Sequence, residues 1–136
     1  MDIDTAAMKD FPEQSQPWPG RTDRLDPVPD HGETSYVGRG RLEGKRALVT
    51  GGDSGIGRAT AIAFAKEGAD VAISYLEVEQ EDAEETRKHV EAAGRRCVLV
   101  PTDQRTEEAN IALARAAVEG LGGVDVLVNN AGYQMA

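Results

Sequence analysis

Past Lys45 the chain alternates between two hydrophobic rhythms. Short runs that are apolar on consecutive positions, Arg46 to Thr50, Val71 to Tyr75, Arg96 to Val100 and Val124 to Val128, read as strands buried on both faces. Between them lie longer stretches whose apolar residues recur every three or four positions, which predicts helices. The first runs from about Ile56 to Glu67 with Ala59, Ile62, Ala63 and Phe64 inward, and Gly68 stops it. The second, about Glu79 to Ala93, carries Ala83, Thr86, Val90 and Ala93 on one stripe. Its acids Glu79, Glu81, Asp82, Glu84 and Glu85 precede Arg87, Lys88 and His89, as the helix dipole prefers, and read as a solvated face. After Gly94 and the third strand, Thr106 can cap a helix reaching Glu119 with Ile111, Ala114 and Val118 inward. Strands apolar on both faces and separated by helices predict an α/β fold, a parallel sheet covered on both sides.

Residues 1–40 follow neither rhythm. Five of the six prolines fall between Pro12 and Pro29, which predicts a flexible, proline-rich arm ahead of the domain that occupies residues 41–136. Trp18, the only tryptophan, and Tyr36 leave two readings open: a solvated leader, or an arm that docks on a neighbouring subunit.

Composition narrows the partners. The 136 residues suit one core, and a net charge of −9 with pI near 4.7 repels nucleic acid and anionic membrane surfaces. No apolar run approaches the roughly 20 residues of a membrane span, and Asp2 and Asp4 do not suit a secretory leader, so the cytoplasm is the expected compartment. Cys97 has no second cysteine to pair with and reads as a small core residue. His31 and His89 have no ligand at metal spacing, so no metal site is expected.

The first strand runs into Thr50-Gly51-Gly52-Asp53-Ser54-Gly55-Ile56-Gly57 and a helix leaves it. Gly51, Gly55 and Gly57 sit where a strand end needs a tight turn, a close approach to phosphate, and helix packed on strand. With right-handed crossovers this predicts a Rossmann-type doubly wound sheet, strand one lying between two and four.

That turn resembles the Thr-Gly-x-x-x-Gly-x-Gly motif of the short-chain dehydrogenase/reductase family, and Asn129-Asn130-Ala131-Gly132 resembles the Asn-Asn-Ala-Gly segment that follows the family's fourth strand. Together with the proline-rich leader, the turn further resembles a bacterial subgroup described as glucose or aldehyde dehydrogenase-like, or as general-stress oxidoreductases. The resemblance implies a nicotinamide dinucleotide, with Ser54, Ile56 and Gly57 offering amides to its phosphates. It implies Asp103 accepting from the adenine amino group beside Gln104, although a capping aspartate in a turn is an alternative reading of Asp103. Asn130, Ala131 and Gly132 would line the ribose and nicotinamide side while Asn129 braces the sheet. The end of the second strand selects the cofactor: with Tyr75 where NAD-binding relatives carry an acid, the choice leans slightly to NADP over NAD, and Arg58 is the nearest cation in sequence.

The resemblance also implies residues that this chain does not show. The family's proton-transferring Tyr-x-x-x-Lys pair has no match, since Gly40 and Glu79 follow Tyr36 and Tyr75 by four and Tyr133 lies three residues from the last one. No catalytic residue is assigned. The sequence reads as the first half of a dinucleotide fold, truncated after the fourth strand. Either it is part of an NAD(P)-dependent oxidoreductase acting on an aldehyde, ketone, alcohol or sugar, homo-oligomeric at full length, or it is an inactive dinucleotide-binding or assembly module. An apolar fourth strand left at a sheet edge predicts a marginal, association-prone chain.

Overall fold

A computed structural model of the chain describes residues 12–133. The apolar runs form strands β1 (Arg46–Val49), β2 (Asp70–Tyr75), β3 (Cys97–Pro101) and β4 (Val126–Val128), joined by helices α1 (Gly55–Lys66), α2 (Gln80–Ala92) and α3 (Glu107–Leu121). Every pairing is parallel and the spatial order is β3-β2-β1-β4, the doubly wound arrangement expected from the sequence. The chain steps outward from β1 to β3 and then returns to the other side of β1, so the order reverses between β1 and β4.

Each face has its own core. Val49, Val71 and Ile73 pack with Ala61 and Ala65 of α1 and with Ala83 and Val90 of α2. On the opposite face Leu48 and Ala72 meet Leu113, Ala117 and Leu121 of α3. All six residues of β2 are buried, as a central strand requires. Cys97 packs against the first core, and burial pushes its thiol up to about 12, which leaves little thiolate at neutral pH.

The third helix departs from its expected orientation. Thr106 does cap it, accepting a hydrogen bond from the Ala109 amide at 3.2 Å, but the buried stripe is Leu113, Ala117 and Leu121 rather than Ile111, Ala114 and Val118. The reason is that α3 is apolar on two sides. The sheet takes the side with the two leucines, and Ile111 and Val118 are left about half exposed. Leu127 of β4, in register with the buried Leu48 and Ala72 on the same sheet face, is also exposed.

Ion pairs close the N-terminal ends of the strands. Arg46 of β1 pairs with Asp125 ahead of β4 at 2.9 Å, and its guanidinium also donates to the Gly122 carbonyl at 2.7 Å. Burial opposes ionisation of Asp70 at the start of β2, yet the Arg96 amide and guanidinium and the Arg95 charge hold its carboxyl below the ordinary range.

The segment ahead of β1 lies on the C-terminal end of α1. The Lys66 ammonium donates to the carbonyls of Gly32, Glu33 and Tyr36 at 2.7–2.8 Å. Glu67 accepts from the Tyr36 hydroxyl, from the amides of Arg39 and Arg41, and from the Arg41 guanidinium. Gly38 runs so close that a Cβ there would lie 1.8 Å from the Lys66 carbonyl oxygen. The Tyr36 hydroxyl is therefore engaged within its own chain, while Trp18 stays exposed where Pro17 to Arg21 approach the start of α2. Among the described residues no helix is long and apolar enough to cross a membrane.

The bare apolar groups of α3 and β4 generate a prediction. The 136-residue chain is expected to associate at micromolar concentration, and the double change Val118→Lys with Leu127→Lys is expected to shift it toward monomer in sedimentation velocity. A wild-type chain that sediments as a monomer would contradict this.

Candidate functional site

The glycine turn after β1 takes its shape from places where no side chain fits. Gly51 and Gly55 hold φ of +63° and +53°, the left-handed region that favours glycine. Gly57 has ordinary φ but no room: a Cβ would sit 1.9 Å from the Gly51 carbonyl oxygen and 2.6 Å from Asn130 Nδ2. Gly52, which the motif leaves unspecified, is equally confined, its Cβ position lying 2.4 Å from the Ile73 side chain. Around Gly55, by contrast, there is open space. The three motif glycines thus have distinct reasons, and a fourth is set by the core of β2.

The turn is fastened to both neighbouring strands. Thr50 Oγ1 accepts from the amides of Asn130 (3.0 Å) and Ala131 (2.9 Å), and Asn130 Nδ2 donates to the carbonyls of Thr50 and Gly51. On the other side the Gly51 amide donates to Ser74 Oγ at 3.2 Å. Ser74 donates in turn to Gln104 Oε1 at 2.9 Å, and Gln104 Nε2 reaches Asn110 of α3 at 3.0 Å. The brace expected of Asn129 is therefore supplied by Asn130, and Asn129 is exposed. The Asn130 carboxamide nitrogen is thereby engaged on two turn carbonyls.

These braces hold open a cleft of about 900 Å³ at the C-terminal ends of the strands, at the point where the strand order reverses. It brings together Gly51, Asp53, Ser54, Tyr75, Asp103, Gln104, Asn130, Ala131 and Gly132 from the expected set. Gly55, Ile56 and Gly57 form the first turn of α1 and do not line it. Ser54 is the N-cap residue, yet its side chain makes no capping bond, and its carbonyl receives the Arg58 amide. Leu76, Glu79, Thr102, Arg105, Tyr133 and Trp18 join the lining. Spacing alone gave no signal for Trp18 or Arg105. Ser74 could have been noticed as a hydroxyl in an otherwise apolar strand end.

The electrostatics of the lining are mainly acidic. Burial pushes the Asp53 carboxyl up, with the Asp82 charge adding to it, and Asp53 Oδ2 is buried without a hydrogen-bond partner. Glu79 is pushed up by burial and then by the Asp53 charge. The expectation that the acids near the second helix form a solvated face fails for Glu79, in the cleft, and for Asp82, which pairs with Arg58 at 3.2 Å. Arg58 is itself buried, its Nε donating to the Asp53 carbonyl at 2.9 Å and to Thr86, so the cation nearest in sequence is directed away from the cleft. Asp103 is held below the ordinary carboxylate range by hydrogen bonds from Arg105, and accepts the Arg105 amide as a turn aspartate does. It also lines the cleft. Burial raises the Tyr75 hydroxyl, which donates to Gln80 at 2.6 Å and is not placed as an acid or base.

The short chain dehydrogenase family profile matches residues 45–136. The chain belongs to that family. It is 54% identical over 127 residues to the uncharacterized oxidoreductase YghA of Escherichia coli (strain K12), covering 93% of this chain but 43% of that protein. Among solved structures it is similar to a candidate short-chain alcohol dehydrogenase from Sinorhizobium meliloti 1021, with a TM-score of 0.65, 50% identity, and coverage of 69% of this chain and 36% of that one. It is also similar to a short chain dehydrogenase from Burkholderia cenocepacia J2315 in complex with NADP, with a TM-score of 0.65, 46% identity and coverage of 71% and 39%. This short-chain dehydrogenase chain thus spans less than half the length of these relatives. Its cleft fits a dinucleotide on its own evidence: a lining that includes the left-handed Gly51, a buried acceptor on Asp53 without a partner, and a volume suited to such a ligand.

Two substitutions test the geometry. Thr50→Val keeps the shape but removes the acceptor of the Ala131 amide and one of the two acceptors of the Asn130 amide, and is expected to lower stability by about 1–3 kcal/mol in urea unfolding. Gly57→Ala forces the turn and α1 apart, and is expected to weaken dinucleotide binding at least about tenfold by isothermal calorimetry, in line with the cost of overpacking a filled site.

Proposed function

We propose that this chain is the dinucleotide-binding half of an NAD(P)-dependent oxidoreductase that reduces an aldehyde or ketone, or oxidises an alcohol or sugar, and that is homo-oligomeric at full length. The observation that carries this reading is the cleft at the reversal of strand order, walled by the glycine turn on one side and Asn130 to Gly132 on the other. Open α/β sheets bind their ligands at this point.

Within this reading the protein's own residues bind and orient. The left-handed Gly51 and the brace from Asn130 fix the turn, and the first-turn amides of α1 face the phosphates. Asp103 and Thr102 flank the adenine end, and Ala131 and Gly132 line the nicotinamide side. The bound nicotinamide supplies or accepts the hydride. No proton-transferring group is assigned among these residues, because the Tyr75 hydroxyl is tied to Gln80 and Tyr36 and Tyr75 have Gly40 and Glu79 four positions on.

The 136-residue chain is expected to bind a reduced nicotinamide dinucleotide saturably, seen as enhanced nicotinamide fluorescence, and to give no turnover with a panel of aldehydes and ketones. Failure to bind either dinucleotide would refute the site, and turnover by this chain would refute the division of labour.

A further inference from the structure

We propose that Asp53 and Glu79 make this cleft select a dinucleotide with a free 2′-hydroxyl on its adenosine ribose, NAD in preference to NADP. The inference rests on the cofactor site proposed above and goes on to name the residues that choose its ligand. It runs against the slight lean to NADP drawn from the lack of an acid at Tyr75, because the acids reach the same place from other elements.

Asp53 follows Gly52, whose amide donates to the carbonyl of Ser74 at the end of β2 at 3.1 Å. Its carboxylate is thereby set beside the end of β2, where dinucleotide folds hold the adenosine ribose. The side chain is only 4% exposed, lines the cleft, and leaves Oδ2 without a partner. A buried carboxyl oxygen without a hydrogen-bond partner is costly, and a ribose hydroxyl donating to it removes that cost. Glu79 approaches from the single helical turn that follows β2 and lines the same cleft, where burial and then the nearby Asp53 charge oppose its ionisation.

A 2′-phosphate has the opposite requirement. It brings about two negative charges and strong acceptors, and needs a free guanidinium or ammonium. Arg105 is the one Lys or Arg side chain in the lining among the described residues; its guanidinium is largely exposed to solvent and already pairs with Asp103 at 2.5–2.9 Å. Arg58 is buried against Thr86 and Asp82. Arg21, at the neighbouring shallow cavity, is paired with Asp23 and Glu81. The phosphate would therefore meet two carboxyls with no unengaged cation. The NADP held by the Burkholderia relative indicates that the fold itself admits the phosphate, so the exclusion is assigned to these two side chains.

The test is calorimetric titration of the 136-residue chain with NAD and with NADP, repeated on Glu79→Gln, Asp53→Asn and the double variant, with circular dichroism to establish that each is folded. If association interferes, the same titrations are made in the Val118→Lys, Leu127→Lys background. Wild type is expected to bind NAD at least about tenfold more tightly than NADP, as like-charge juxtaposition requires. Glu79→Gln should narrow the ratio by strengthening NADP, and Asp53→Asn should weaken NAD. Because Glu79 sits on a half-exposed turn outside both cores, Glu79→Gln decides the matter even if Asp53→Asn fails to fold. Equal or tighter binding of NADP by wild type, or a ratio that Glu79→Gln leaves unchanged, overturns the inference while leaving the cofactor site standing. A folded chain that binds neither dinucleotide overturns the site and the inference together.

Discussion

The hydrogen bonds accepted by Thr50 Oγ1 join two segments eighty residues apart in sequence and fix the distance between the glycine turn and the chain leaving β4. Asn130 reinforces the same junction by donating back to the turn. This junction confines Gly57, because the atoms that a Cβ there would strike are the Gly51 carbonyl and the Asn130 amide. It also defines one wall of the cleft. Backbone groups at a strand end must find partners somewhere, and here a hydroxyl and a carboxamide supply them without filling the space that a ligand needs.

The two ends of the sheet carry different carboxyl groups. At the N-terminal ends carboxylates are matched to guanidiniums, as with Arg46 and Asp125 or Asp70 and Arg96. At the C-terminal ends Asp53 retains an unpartnered oxygen and Glu79 lies beside a like charge. Satisfied groups stabilise a fold, whereas unsatisfied ones mark places where a ligand completes the structure.

Sequence pattern revealed the element order, the sheet topology and most of the cleft lining, because strands apolar on both faces and a glycine turn after the first leave few alternatives. It failed where two answers share one pattern. Helix α3 carries two apolar stripes, and only the sheet decides which is covered. Asn129 and Asn130 are chemically identical, so which one braces the turn depends on strand parity. Glu79 and Asp82 looked like members of a solvated run, but the turn after β2 points one into the cleft and Arg58 captures the other. The contacts of Lys66 and Glu67 with the segment from Gly32 to Arg41 are long-range polar matches that no periodicity announces.

Those last contacts give α1 a second role. Its N-terminal turn abuts the cleft, and the lysine and glutamate at its other end grip the segment that precedes the domain. The Glu67 carboxyl is held below the ordinary range by Arg41 and then by Tyr36, so the grip holds at neutral pH and loosens only as pH falls through that lowered value. A helix of twelve residues is about 18 Å long and resists compression. One twelve-residue helix therefore ties the glycine turn to the segment that precedes the domain, so two parts of the chain far apart in space share a single rigid element.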